Sequence, residues 1–447
     1  MKRTLIYNAT VVNEGVSYTG SVIIEDERIS DVIPGMTRPQ GDFDTLIDAH
    51  GHYLLPGAID CHVHFRDPGL THKADIATES AAAAAGGVTS YMDMPNCNPQ
   101  TTTLEALNAK FESASRRSSV NYSFYFGATN GNASLIRSLD RTRVCGVKVF
   151  MGASTGNMLV DRVETLRQIF SSAGMLIAAH CEDQNVINRN VRFFRERYGD
   201  DPDITCHPLI RSEEACWNSS SLAVRLAREC GSRLHVLHVS TEKELELFDG
   251  GKRLEEKMIT SEACIAHLTF CDEDYARLGA RIKCNPSVKS RADRDALRRA
   301  LSTGVIDTVG TDHAPHLLSE KRGGALKAAS GMPGIQFSVV SMLELAREGV
   351  LTVEEVVRKM SHNPAILYGI RGRGFIRPGY KADLVLVCPD SPWTVTADCI
   401  LSKCGWSPLE GRTLHARIEK TFVNGELVYD GRSVMPSVRG QALAFDR

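Results

Sequence analysis

Two histidines one residue apart, His62 and His64, close a short apolar run in this 447-residue chain. In an extended strand, residues i and i+2 face the same side, so both imidazoles can reach one ion. Taken alone, His-x-His is weak evidence, because surface and core histidines also produce it. Further along, Lys148 lies in an apolar run, where an isolated ammonium is costly. His180 and His238 each follow a β-rich run, and Thr311-Asp312-His313 follows another. Each has an ordinary reading by itself: a snorkelling lysine, or a histidine capping a strand with a hydrogen bond. Together, four imidazoles and a carboxylate exceed what one tetrahedral ion needs. The set predicts two divalent ions.

The elements that position these residues follow from the alternation of the chain. Short apolar β runs occur at 58–63, 88–94, 122–126, 147–150, 175–179, 234–239, 258–263 and 307–310. Amphipathic or Ala-rich stretches such as 77–85, 163–171, 219–229 and 293–301 lie between them. Eight strands alternating with helices predict a (β/α)8 barrel, an α/β TIM-barrel fold, over 53–370. The candidate ligands fall at the C-terminal ends of its strands, where barrel enzymes build active sites. Both ends of the chain read instead as short strands, with an Asn424-Gly425 hairpin turn near the C-terminus. Residues 1–52 and 371–447 are therefore expected to form one composite β-sandwich.

Composition narrows the class of partner. Hydrophobic residues make up 43% and charged residues 24%, which is ordinary globular usage and excludes a disordered or coiled-coil architecture. The formal charge of −2 offers no field for nucleic acid or an anionic membrane, so a small-molecule substrate is expected. No apolar run is long enough to span a bilayer, and the N-terminus turns polar too early for a signal peptide. Thirteen cysteines without a CxxC pair fit a reducing cytoplasm. A homodimer stays open.

The stretch Pro56-Gly57-Ala58-Ile59-Asp60-Cys61-His62-Val63-His64, with the later Lys, two His and Asp, resembles the cyclic-amidase branch of the amidohydrolase superfamily. The resemblance covers nearly the whole chain. It implies two bridged divalent ions, usually zinc. His62, His64 and Asp312 would hold one, and His180 and His238 the other. Lys148, N-carboxylated by CO2, would bridge both. Such a carbamate turns a misplaced cation into an anion between two dications.

Within that branch, His64-Phe65-Arg66-Asp67-Pro68-Gly69 and Met94-Pro95-Asn96 resemble motifs of dihydroorotases. The resemblance implies that Arg66, Asn96 and His316 bind a substrate carboxylate and that Asn285 contacts the ring. The implied reaction is reversible cyclisation of N-carbamoyl-L-aspartate to L-dihydroorotate in pyrimidine biosynthesis, with a bridging hydroxide as nucleophile and Asp312 as proton shuttle. Guanidinium pairs bidentately with carboxylate, which suits this anionic substrate. The ordinary alternative for Arg66 is a structural ion pair with Asp67 or a loop carboxylate. Thr155 loosely resembles a lid residue, although Gly156 stands where the lid pattern has a second threonine. A hydantoinase (dihydropyrimidinase), an allantoinase and a non-catalytic homologue are the alternatives. The last class usually loses ligands, and this chain keeps all six.

Overall fold

The computed structural model describes residues 2–152 and 158–447. The chain opens with β1 (Arg3–Asn13), β2 (Val16–Glu25), β3 (Arg28–Pro34), β4 (Thr45–Asp48) and β5 (Tyr53–Pro56). β1, β2 and β3 form an antiparallel meander. β1 also forks, pairing in parallel with β4 through residues 4–7 and with β5 through residues 10–11.

Eight parallel strands follow: β6 (Ala58–Val63), β7 (Val88–Asp93), β8 (Asn121–Gly127), β9 (Gly146–Phe150), β10 (Ile177–His180), β11 (Leu234–Val236), β12 (Ile259–Cys264) and β13 (Thr308–Gly310). They are neighbours in chain order. A Val63–His313 bridge and a 2.7 Å bond from His64 N–H to the His313 carbonyl join the last strand to the first. Helices such as Ile76–Ala85, Glu213–Cys230 and Arg291–Ser302 fill the crossovers. The fold is the expected (β/α)8 barrel. Helix entry is encoded locally: the side chain of Asp75 accepts from the backbone N–H groups of Ala77 and Thr78, and Ser290 accepts from that of Asp293.

The C-terminal part returns to the first sheet. β14 (Leu384–Cys388) pairs antiparallel with β5, the short β15 (Trp393–Thr394) and β16 (Thr413–Leu414) pair with each other, and β17 (Arg417–Val423) and β18 (Glu426–Tyr429) complete the terminal sheet. Ile6, Val22, Leu54, Leu384 and Phe422 share its core, so both ends of the chain build it. Asn424 and Gly425 have φ of 50° and 78°, the primed turn that a two-residue hairpin needs. A Cβ at Gly425 would lie 1.9 Å from the Asp26 carbonyl oxygen.

By pairing, the sheet reaches Pro56. The C-terminal tail leaves it: Leu443 and Phe445 join a core with Met92, Tyr125 and Ala178, and Arg447 donates to the carbonyls of Val144, Cys145 and Tyr368. No helix among the described residues is long and apolar enough to cross a membrane.

Candidate metal centre and substrate pocket

At the C-terminal end of the barrel one pocket gathers His62, His64, Lys148, His180, His238 and Asp312 with Arg66, Asn96, Asn285 and His316. Strand alternation explains much of this. Val147 and Val149 face the layer beneath the helices, which turns Lys148 inward. Val63 does the same between His62 and His64. The sixth barrel strand is shorter than its sequence suggests: β11 stops at Val236, and His238 lies in the following loop with φ 40°. That left-handed residue ends the ladder and carries the ring to His180. Asp312 likewise follows β13 with φ 50°. Thr155 lies outside the described residues.

The imidazoles are oriented by hydrogen bonds on their outer nitrogens. His62 Nδ1 donates to Glu262 Oε1 at 2.7 Å, and His64 Nδ1 to Asn96 Oδ1 at 2.7 Å. His180 Nε2 donates to Glu182 Oε2 at 2.9 Å. Each ring, when neutral, therefore presents its other nitrogen as a lone pair. Burial lowers the pKa of His64 to about 4 and pulls those of His180 and His238 down as well, favouring the neutral form. The lone pairs of His62 and His64 face the same acceptor, Asp312 Oδ1, at 3.3 and 3.0 Å. His180 Nδ1 faces His238 Nε2 at 2.9 Å. Two imidazole lone pairs converging on one carboxylate oxygen are a donor set for a cation, and pinned outer nitrogens are how proteins fix metal-ligating histidines.

Lys148 stands among them. Its side chain is fully buried, and Nζ has no hydrogen-bond partner among the described residues, lying 4.6 Å from the Phe150 ring centroid. Burial lowers its pKa to about 8. An unpaired buried ammonium is costly, whereas a neutral amine is the form that reacts with CO2. The residues present fit a pair of divalent ions: imidazole and carboxylate groups, and an amine without a hydrogen-bond partner among the described residues, in one pocket.

The opposite wall is cationic. Arg66 is 7% exposed, with φ 64°. Its Nε donates to the Pro315 carbonyl at 3.1 Å and its Nη2 to His316 Nε2 at 3.0 Å. Among the described residues it has no carboxylate partner. Asp67 is engaged elsewhere, accepting from Arg117 at 2.6 Å and from the Ile76 N–H at 3.2 Å, so the structural pair considered for Arg66 does not form. Lys73 Nζ lies 3.1 Å from His316 Nδ1. Asn285 Oδ1 is buried without a hydrogen-bond partner among the described residues.

Residues 53–428 match the Amidohydrolase family. The chain belongs to that family. Among curated relatives it is similar to an allantoinase of Bacillus velezensis (32% identity, 95% of this chain and 93% of the relative). It is also similar to a dihydroorotase of Halobacterium salinarum (34%, 88% and 90%). Among solved structures it resembles the L-hydantoinase (dihydropyrimidinase) of Arthrobacter aurescens, with a TM-score of 0.94, 28% identity and 99% and 100% coverage. These relatives make it a cyclic amidase of the superfamily.

Sequence reasoning missed two acids of this amidohydrolase site. Glu262 Oε1 accepts from both His62 Nδ1 and, at 3.2 Å, the His238 N–H, thereby touching one residue of each candidate ligand group. A Cβ on Gly310 would lie 2.7 Å from Glu262 Oε2 and 3.3 Å from His62 Cβ, so only glycine leaves room for that pair. Glu182 joins His180 to Arg211. A carboxylate inside an otherwise uncharged barrel strand, and another two residues after a candidate ligand histidine, were the available signals. His313 points away: its Nε2 donates to Glu79 and its Nδ1 accepts from Gly334 N–H.

Proposed function

We propose that this amidohydrolase is a dihydroorotase, interconverting N-carbamoyl-L-aspartate and L-dihydroorotate by ring closure with loss of water. The observation that carries the reading is Arg66, a buried guanidinium at the pocket with no carboxylate partner among the described residues. Dihydroorotate brings a ring carboxylate to such a group, whereas hydantoin, dihydropyrimidine and allantoin rings are neutral. Arg66, Asn96 and His316 hold that carboxylate in this reading. The Asn285 carbonyl oxygen accepts from a ring N–H.

His62, His64, His180, His238, Asp312 and a carboxylated Lys148 would hold two divalent cations, zinc in this reading. Such ions supply Lewis acidity, lowering the pKa of water and polarising an amide carbonyl. Lys148 reaches its carbamate by forming a bond from Nζ to the carbon of CO2 and releasing a proton. In hydrolysis Asp312 takes a proton on its carboxylate and returns it to the leaving ring nitrogen. In synthesis it supplies that proton. Thirteen unpaired cysteines suit a reducing compartment such as the cytoplasm.

Assays of dihydroorotate, hydantoin and allantoin side by side test the reading. A site built to pair a charged group rejects rings that lack it, so dihydroorotate should lead by at least about a thousandfold in kcat/KM. Turnover of allantoin or hydantoin with dihydroorotate inert would overturn it.

A further inference from the structure

Outside the barrel pocket, the terminal sheet brings together three residues that do not line it. His52, Cys388 and Glu419 place an imidazole nitrogen, a thiol sulfur and a carboxylate oxygen within 4.8 Å of one another. Strand pairing accounts for the meeting. Val387 pairs with Tyr53, which sets Cys388 at the end of β14 beside His52 at the entry to β5. On the other side the β14–β17 register slips between Leu386–Lys420 and Val387–Ile418. Glu419 is the extra residue of that bulge, and bulges re-aim side chains.

The group has two further marks of a ligand set. His52 is anchored through its backbone, its N–H donating to the Ala49 carbonyl and its carbonyl accepting from Thr10 N–H. Its Nδ1 lies 3.0 Å from the His50 carbonyl oxygen. A carbonyl only accepts, so Nδ1 carries the proton and Nε2 the lone pair, the arrangement of a metal-ligating histidine. Secondly, the side chains of Cys388 and Glu419 make no hydrogen bond or ion pair among the described residues.

We propose that His52, Cys388 and Glu419 bind a divalent ion of the zinc class, with water as fourth ligand. Zinc takes nitrogen and oxygen at about 2.0–2.2 Å and sulfur at about 2.3 Å, so small side-chain rotations close the set. Binding converts the Cys388 thiol to a thiolate and releases its proton to solvent. A thiolate in the set selects zinc-like ions over magnesium or calcium. The ion would clip β14, β17 and the entry to β5 together at one rim of the terminal sheet. It is separate from the barrel centre, where no cysteine is among the proposed ligands.

Cobalt(II) loading of the full-length protein separates the two sites, because only a thiolate ligand gives an intense near-ultraviolet charge-transfer band. Wild type should show that band, and Cys388→Ser should lose it together with one ion per chain, keeping its fold by circular dichroism. Outer partners alone change metal affinity by about 10–100-fold, so removing a ligand in His52→Ala or Glu419→Gln should weaken zinc at this site at least about 100-fold in chelator competition. A wild type without the band overturns the proposal. So does a band that persists in Cys388→Ser, which would place the thiolate elsewhere, as at Cys264 beside His62 and Glu262.

Discussion

The two walls of the barrel pocket are built with opposite polarity. On one wall, imidazole lone pairs and the Asp312 carboxylate converge, and acids stand behind the rings: Glu262 behind His62, and Glu182 behind His180. On the other wall Arg66 meets His316, with Lys73 and Lys321 close enough to act on the ring through their charge, and burial followed by those three cations depresses its pKa far below the usual histidine range. One wall is an acceptor set for cations, and the other is a donor set for an anion. A ligand that coordinates ions through one end and carries a negative charge on the other satisfies both. That is the charge pattern of a cyclic amide bearing a carboxylate.

The largest effect should come from breaking the acceptor wall. Lys148→Ala should lose bound metal and reduce turnover by more than about a thousandfold, the equivalent of about 4 kcal/mol of transition-state stabilisation. A short added carboxylate should restore part of both by standing in for the carbamate. Metal analysis beside kinetics checks this, and lost activity with unchanged metal would remove Lys148 from the ligand set. Breaking the donor wall should act differently. Arg66→Met should leave metal content intact and cost kcat/KM for dihydroorotate about 3–5 kcal/mol, the range for a buried ion pair deprived of one partner. An unaltered KM would show that this wall does not hold the substrate's charge.

The sequence shows the two walls unequally. The acceptor wall follows from residue type and period: His-x-His on a strand, a lysine flanked by Val147 and Val149, and polar residues after predicted strands all point to the barrel mouth. The strand alternation revealed the barrel for the same reason, since buried parallel strands are short and apolar. Arg66 was readable only through a motif resemblance, because its meaning lies in the absence of a carboxylate partner among the described residues and in Asp67 being taken by Arg117. Glu262 was hidden because its role depends on β12 meeting His62 across the barrel, a contact separated by 200 residues. Likewise, β11 ends early because His238 adopts a positive φ, a backbone choice that composition does not announce.

A smaller perturbation concerns the support of the acceptor wall. Glu262→Gln keeps the size of the side chain and removes the charge that orders His62 and meets the His238 N–H. Outer partners of metal-binding histidines typically change affinity by about 10–100-fold, so the variant should release metal to a chelator that much more readily. Both ions should weaken together, because Glu262 touches one ligand from each group. Selective loss of a single ion would mean that it serves only His62. Saturating metal should recover much of the activity, which separates this support role from direct chemistry.

The smallest effect tests the donor wall through pH. Lys321 is buried, and Nζ donates to the carbonyls of Lys283, Ala329 and Gly331 at 3.0, 2.6 and 2.7 Å. Burial, reinforced by the neighbouring Lys283 and Arg66 charges, lowers its pKa to about 7. Unfolded, the same lysine titrates near 10.5. Below about pH 7 both states are protonated, and confining the charge costs folding stability. Between that pH and 10.5 the unfolded chain binds more protons, so this cost is relieved as pH rises. The effect on binding has the opposite direction: as Lys321 loses its proton, the wall loses positive charge. KM for dihydroorotate should therefore rise severalfold between about pH 6 and about pH 8, while KM for any neutral ring the enzyme accepts should not follow. Lys321→Arg, charged throughout this range, should flatten the dihydroorotate profile. A KM that climbs equally for charged and neutral rings, or climbs unchanged in Lys321→Arg, would take Lys321 out of the anion-binding wall and leave that role to Arg66 and His316.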